Sequence, residues 1–244
     1  MQEYDKLFEA RGSSYDMAMR RFPDARRDEF AQVVEAAALR PGMIVGDVPA
    51  GGGYLQSYLP AHCQYRAHEP CGAFAPHQNT NTGFRALLPL PWQDNTLDVV
   101  ISLAGIHHVD DKLSLFRDMH RVTRPCGRLV ISDVAEGSAV AHFLDGFVGQ
   151  HNSTGHEGSY LNAETSSLLN QTGWQVVSDE IRQIPWHFSS EEDLAEFCAL
   201  LFDIRRATSA DLIAAVKSRL GVQVSAHGGI DMCWSLRTLT AEHA

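Results

Sequence analysis

The chain has 244 residues, 44% of them hydrophobic and 20% charged, and a formal net charge of -10 from 20 basic and 30 acidic side chains. That length suits one domain, or one domain with an appended cap, and the apolar share is enough for a sizeable core. The acidic balance, with no basic run, argues against a nucleic-acid partner, and no apolar run is long enough to span a bilayer. Cys63, Cys71, Cys126, Cys198 and Cys233 are scattered, odd in number and without a C-x-x-C. They suggest neither a disulfide framework nor a zinc knuckle, and a cytoplasmic setting is expected. The segment Met1-Gln2-Glu3-Tyr4-Asp5 has no signal-type apolar core.

Residues up to about Leu39 are predicted helical, with Phe30, Val33, Val34 and Ala37 at helical spacing. Arg40-Pro41-Gly42 stops that run. Met43–Val48 reads as a buried strand ending near Asp47, and Pro49-Ala50-Gly51-Gly52-Gly53 as a turn. Glycines there let a ligand approach the backbone. A helix from Tyr54 to Leu59 would then point unused N–H groups at that ligand. Gln64–His68 is a second strand, ending at Glu69, and Leu97–Leu103 a third, rich in β-branched residues. Lys112–Val122 is an amphipathic helix closed by Arg124-Pro125-Cys126-Gly127, and Arg128–Ser132 is a further strand. The alternation predicts βαβ units, hence an α/β fold with a parallel sheet and helices on both faces.

After Asp133 the pattern changes. Glu136–Tyr160 mixes glycine, histidine and polar residues around one apolar stretch, Phe143–Val148. An irregular insertion of that length reads as a binding loop or lid. A helix at Ala163–Gln171 and a strand at Trp174–Ile184 follow. Ser190 is placed to cap a helix whose first turn is acidic and which runs to about Arg206. Another helix spans Ser209–Leu220, and a last strand lies near Asp231–Leu239.

Four pieces in order resemble the class I S-adenosylmethionine-dependent methyltransferases, in particular the small-molecule branch with the ubiquinone- and biotin-pathway enzymes. They are Val45-Gly46-Asp47-Val48-Pro49-Ala50-Gly51-Gly52-Gly53, then His68-Glu69-Pro70, then the run from Leu90 to Val109 that contains His107-His108, and finally the run from Phe116 to Asp133. The resemblance implies a Rossmann-like three-layer α/β sandwich. Its sheet would have seven mostly parallel strands with the last antiparallel, and helices would cap the N-terminus. It also implies one domain: a cap over 1–40, a cofactor-binding core over 41–135, a lid-like insertion over 136–162, and the rest of the sheet with substrate-side helices over 163–244. The implied cofactor is S-adenosyl-L-methionine, and the implied partner is a small-molecule acceptor.

The implied cofactor residues are Asp47, Pro49, Ala50, Gly51 and Gly53 in the loop, with Glu69 for the ribose and Pro70 beside it. Ala86 and Leu87 would line an adenine slot, and Ser102 and Leu103 lie at the end of the third strand. The family usually carries Asp-x-Gly-x-Gly-x-Gly, and here Pro49 replaces the first glycine, which fixes φ and removes an N–H. Ala86 stands where an acid often meets the adenine amino group.

Methyl transfer from a sulfonium is an in-line displacement in which the enzyme mainly supplies proximity and orientation. A base is needed only where the acceptor must lose a proton. His107, at the carboxyl edge of the sheet, is the candidate base; a structural histidine is the other reading. Tyr15, ahead of the core, is the second candidate catalytic residue, through cation–π attraction to the sulfonium; a packing tyrosine is its alternative. His142, His151 and His156 are open to substrate contact, metal ligation or a solvated loop. Their spacing matches no metal motif, and no metal site is assigned. Phe143, Phe147, Trp186 and Phe188 could line an acceptor pocket or fill the core. Two rival functions are a dinucleotide-binding oxidoreductase, which expects G-x-G-x-x-G and not Asp47, and a non-catalytic protein of the same fold.

Overall fold

A computed structural model of the protein describes residues 4–77, 86–226 and 228–243. Helices α1 (Tyr4–Arg21) and α2 (Arg27–Ala37) come first, as the helical spacing predicts. The strands among the described residues are β1 (Ile44–Asp47), β2 (Gln64–Ala67), β3 (Leu97–Leu103), β4 (Thr123–Asp133), β5 (Trp174–Gln183), β6 (Trp186–Phe188), β7 (Val222–Val224), β8 (Ile230–Met232) and β9 (Ser235–His243). Six of them form the main sheet in the order β2-β1-β3-β4-β9-β5. All run parallel except β9, which is antiparallel to β4 and β5.

The strand count corrects the expected seven. The described residues supply six strands to this sheet, and residues 78–85 lie outside them. A second sheet, β6-β8-β7, was not expected. Its strands have three residues each, too few to show a period of two.

The sheet separates two cores as alternating side chains should. Val45, Val99, Ile101 and Val130 face one side, under α2. Val100, Leu129 and Ile131 face the other, with Leu115, Phe116 and Met119 of α3 (Lys112–Val122). Leu97 joins this second side although it lies two residues from Val99. The reason is a register shift: Leu97 pairs with Thr123 but Val99 with Arg128. The expected turn Arg124-Pro125-Cys126-Gly127 is thus a bulge inside a continuous β4, with Cys126 at φ 62.

Four boundaries differ from expectation, the first being the last strand, expected near Asp231–Leu239 and found split into β8 and β9. After the glycine turn the chain forms one short 3-10 helix, Tyr54–Tyr58, not an α-helix. The region from 136 is half helical: α4 (Ala139–Phe143), a π-helical turn at Leu144–Val148 and α5 (Gly149–His151) follow one another. Its glycines and histidines obscured an apolar stripe at Val140, Phe143, Leu144, Phe147 and Val148, all buried and at helical spacing. α6 (Thr165–Gln171) and α7 (Glu191–Leu201) follow. Ser190 caps α7 by accepting from the Asp193 N–H at 3.1 Å. The helix stops short of Arg206 because Asp203 takes φ 52, outside the right-handed helical region. α8 (Ser209–Arg219) carries a capping box between Thr208 and Asp211. No helix among the described residues is long and apolar enough to cross a membrane.

Candidate functional site

The carboxyl ends of β1, β2 and β3 lie side by side, with Asp47 opposite Ala67 and Ile101. This is the edge at which open α/β sheets bind ligands. A cavity of about 500 Å³ opens there, lined by Asp47, Pro49, Ala50, Gly51, Leu103 and Tyr15 among others. Gly51 has φ 54, and a Cβ there would meet nothing within 4 Å, so its open side faces the cavity it lines.

Asp47 is buried and accepts the Tyr65 hydroxyl at 2.7 Å. Burial pushes its carboxyl up to about 7, with the Tyr65 bond pulling the other way. A buried carboxylate held this high is suited to receive a cationic group. Glu69 ties two loops together. Its carboxylate accepts from the Gly51 N–H at 2.7 Å and the Cys71 N–H at 2.8 Å.

The loop is stitched internally, which corrects the expectation of N–H groups turned to the ligand. Ala50 donates to the His68 carbonyl at 3.0 Å, Gly53 to the Ala50 carbonyl at 2.9 Å, and Gly51 to Glu69. Pro49 follows a cis peptide bond and packs against Gly105, where a Cβ would stand 2.6 Å from the proline Cγ. Gly105 has φ -135, so its backbone needs no glycine; the space does. We expect Gly105→Ala to lower stability by about 1–3 kcal/mol through overpacking, read as a reduced thermal midpoint. An unchanged midpoint would mean that the two loops are not locked together.

A second cavity, about 540 Å³, adjoins the first and shares Tyr15, Arg26 and Ala104 with it. His107, His156, Arg11, Trp186 and Trp234 are among its walls. Here Asp133 organises the end of β4. Its Oδ1 accepts from His107 Nδ1 at 2.6 Å and the Val134 N–H at 2.7 Å. Its Oδ2 accepts from the Ile106 N–H at 2.8 Å and the His107 N–H at 3.2 Å. Burial would raise the Asp133 carboxyl, but the His107 ring and these donors outweigh it and hold it below the usual range. The charged carboxylate fixes the His107 proton on Nδ1 and leaves Nε2 as an acceptor.

Arg26 is buried and fully engaged. It pairs with Glu29 through two nitrogens and donates to the Tyr15 hydroxyl at 2.6 Å. Glu29 also accepts from Trp186 Nε1 at 2.7 Å.

Nitrogens of His107, His108 and His156 lie within 4.8 Å of one another, a set that could hold a divalent transition ion. Burial first, then His107, holds His108 well below its ordinary value, and Arg11 and Lys112 add to that. Burial likewise lowers His156, more than its 2.9 Å bond to Asp145 restores.

The structure thus brings together Asp47, Pro49, Ala50, Gly51, Leu103 and Tyr15 at the first cavity, and His107 at the second. Gly53, Glu69, Pro70, Leu87 and Ser102 do not line either cavity. Ser102 is buried in β3, and Leu87 gives its carbonyl to His68 Nε2 at 3.0 Å. Ala86 is exposed. Of the four aromatic candidates only Trp186 lines a cavity; Phe143, Phe147 and Phe188 are core. The sequence reading missed Arg11, Arg26, Glu29 and Trp234; Arg26 and Glu29 form a local i,i+3 pair that could have been read, whereas Arg11 and Trp234 lack any local pattern. Asp133 carried a signal, an acid closing a strand, but was not read as a site residue.

Comparison with known proteins agrees with this geometry. Residues 47–131 match the family model described as a methyltransferase domain. The chain is 32% identical over 102 residues to the uncharacterised protein YafE of Escherichia coli, covering 41% of this chain and 49% of that protein. It is 30% identical over 116 residues to an arsenite methyltransferase of Halobacterium salinarum, covering 44% of this chain and 28% of that one. The chain therefore spans about half or less of the length of these curated relatives. Its fold is similar to that of an S-adenosylmethionine-dependent methyltransferase structure from Thermotoga maritima, with TM-score 0.60, 13% identity, and coverage of 98% and 99% of the two chains. The motif run thus matches a methyltransferase-domain model over residues 47–131, and the sheet gives the chain a fold similar to that of S-adenosylmethionine-dependent methyltransferase structures.

Proposed function

We propose that the protein transfers a methyl group from S-adenosyl-L-methionine to a small-molecule acceptor. The observation that carries this reading is the pair of adjoining cavities, one at the Asp47–Gly51 loop and one at His107, with Tyr15 and Ala104 in the walls of both. The residues of the first cavity fit the cofactor through a buried carboxylate raised toward neutrality for an ammonium and an open glycine; Glu69 lies outside that wall, bonded to the Gly51 N–H, and is the acceptor proposed for the ribose hydroxyls. When bound, S-adenosylmethionine supplies a methyl group already activated on a sulfonium.

The chain then has to bind, orient and exclude water. Tyr15 offers an aromatic face, held against Phe74 at 5.5 Å between ring centroids, of the kind that attracts a sulfonium. His107 Nε2, oriented through Asp133, takes the proton of a hydroxyl or amine acceptor. Such a base contributes about 10²–10⁴-fold. The reading includes one methyltransferase domain with α1 and α2 as its cap, a wall from 136–162 that contributes Leu144 and His156, and a cytoplasmic setting.

Calorimetric titration tests it. Micromolar binding of S-adenosylhomocysteine without binding of NAD(H) is expected. Binding of NAD(H) alone would assign a dinucleotide-dependent oxidoreductase, and binding of neither a non-catalytic protein.

A further inference from the structure

We infer that the second cavity contains an anion subsite, formed by Arg11 and Trp234, and that its ligand is a planar aromatic molecule bearing a carboxylate or similar anionic oxygen group. This rests on reading that cavity as the acceptor site. Arg11 is 4% exposed and Trp234 5%, and both line the cavity. Arg11 spends one nitrogen on the Phe202 carbonyl at 3.2 Å. Its Nε and Nη1, and Trp234 Nε1, are buried without a hydrogen-bond partner among the described residues. Buried donors left unmade are costly, and three of them around one cavity call for an acceptor-rich ligand. Arg11 is also lowered to about 10 by burial, against the attraction of Asp203, so an anion in contact with it would gain more than in water.

The rest of the wall supplies no such anion. Glu29 is committed to Arg26 and Trp186. Asp133 is filled by His107 and three backbone N–H groups. Asp145 takes His156 and the Tyr160 hydroxyl. Asp203 faces Arg11 electrostatically and accepts from Ser153, while its buried Oδ1 makes an ion pair with Arg205 at 2.6 Å but no hydrogen bond; it does not line the cavity and accepts nothing from Arg11. Lys112, the other cation near the histidines, donates to the Val109 carbonyl and the Ser159 hydroxyl. Arg11 is thus the cation of this wall with donors to spare.

Shape narrows the ligand further. Trp186 and Trp234 lie 4.3 Å apart at 30°, and Phe202 lies 6.2 Å from each at 19° and 28°. These rings stack on one another and leave no slot between them, so they present an apolar aromatic wall against which the face or edge of an aromatic ligand packs. Nε and Nη1 lie on opposite edges of the guanidinium, so each offers a separate charge-assisted hydrogen bond to an anionic oxygen. With the anion anchored at Arg11, the remainder of the ring system extends toward His107 and the wall shared with the cofactor cavity.

The test titrates the full chain with benzoate, 4-hydroxybenzoate and indole-2-carboxylate and with the primary amide of each, with and without saturating S-adenosylhomocysteine. At least one acid is expected to bind tenfold or more tightly than its amide. Arg11→Met should erase that preference and leave S-adenosylhomocysteine affinity within about twofold, whereas Arg11→Lys should keep part of it. If Arg11→Met does not fold, the acid–amide comparison on the native protein still decides, and Trp234→Phe should weaken the acid several-fold. The inference is overturned if no acid outbinds its amide, or if Arg11→Met keeps the preference. An acid preference without S-adenosylhomocysteine binding would leave the subsite standing and remove the methyl-transfer reading. Cofactor binding without an acid preference would do the reverse.

Discussion

Asp47→Asn is expected to weaken S-adenosylhomocysteine binding by about a hundredfold, the scale of one buried charge-assisted hydrogen bond. It should also flatten the dependence of that affinity on pH. Burial holds the Asp47 carboxyl up at about 7, the Tyr65 bond offsetting only part of the effect. A ligand ammonium favours the ionised form, so binding below that value must first remove a proton. Affinity in the native protein should therefore fall by up to about tenfold per pH unit on going from pH 7 toward 5.5 and level off above 7. Stability carries the complementary sign. A carboxyl raised on folding contributes stability that is present below its unfolded value and lost as pH rises through about 7. The ligand-free protein should thus lose stability from about pH 4 up to about pH 7 and level off above it, and the ligand should restore it. Calorimetry and thermal melts across this range decide the matter. Parallel pH profiles for native protein and Asp47→Asn would separate Asp47 from the cofactor.

The parts of the fold that sequence makes legible are those with a local period. β3 and α3 fall at their predicted bounds because Leu97–Leu103 is a β-branched run and Lys112–Val122 has a single apolar face. Asp47 and Gly51 were readable for a related reason. A carboxylate closing a buried strand and a glycine at positive φ are demands of the turn itself, and they survive the replacement of a glycine by Pro49. The second sheet and α4 were not readable. Three-residue strands carry no period, and the glycines at 146 and 149 broke up an apolar stripe whose partners, Trp186 and Phe202, lie 40 to 60 residues away.

Site residues divide in the same way. Glu69 was expected to meet a ribose, and the structure spends two of its acceptor positions on Gly51 and Cys71. The carboxylate therefore also builds the loop, a role that its position after β2 does not announce. Arg11 and Trp234 are 223 residues apart in the chain and meet only through the packing of α1 on α7 and the turn after β8. A lone arginine in an N-terminal helix reads as a solvated face. Only its burial and its unspent donors mark it otherwise.

Asp133→Ala is expected to cost about 3–5 kcal/mol of stability, the range for removing one partner of a buried, hydrogen-bonded charge network. For a chain of this size that is a fall of about 10 °C or more in thermal midpoint. The substitution strands the N–H groups of Ile106, His107 and Val134 together with His107 Nδ1. The pH dependence again follows from the direction of the shift. Burial raises the Asp133 carboxyl, but His107 and the backbone donors more than reverse it. A carboxylate depressed on folding contributes stability above its unfolded value and loses it as pH falls through its folded one. The native protein should therefore weaken in acid below about pH 4 more than Asp133→Asn does, since the amide has no proton to take up there. The same carboxylate fixes the proton of His107 on Nδ1, so Asp133→Asn should also free the ring to change tautomer. Turnover of a hydroxyl or amine acceptor would then fall by about 10²–10⁴-fold, with S-adenosylhomocysteine affinity little changed. A midpoint within 2 °C of native for Asp133→Ala would show that the two loops do not depend on this carboxylate. Turnover that survived Asp133→Asn with its pH profile intact would leave His107 as a wall of the cavity and not its base.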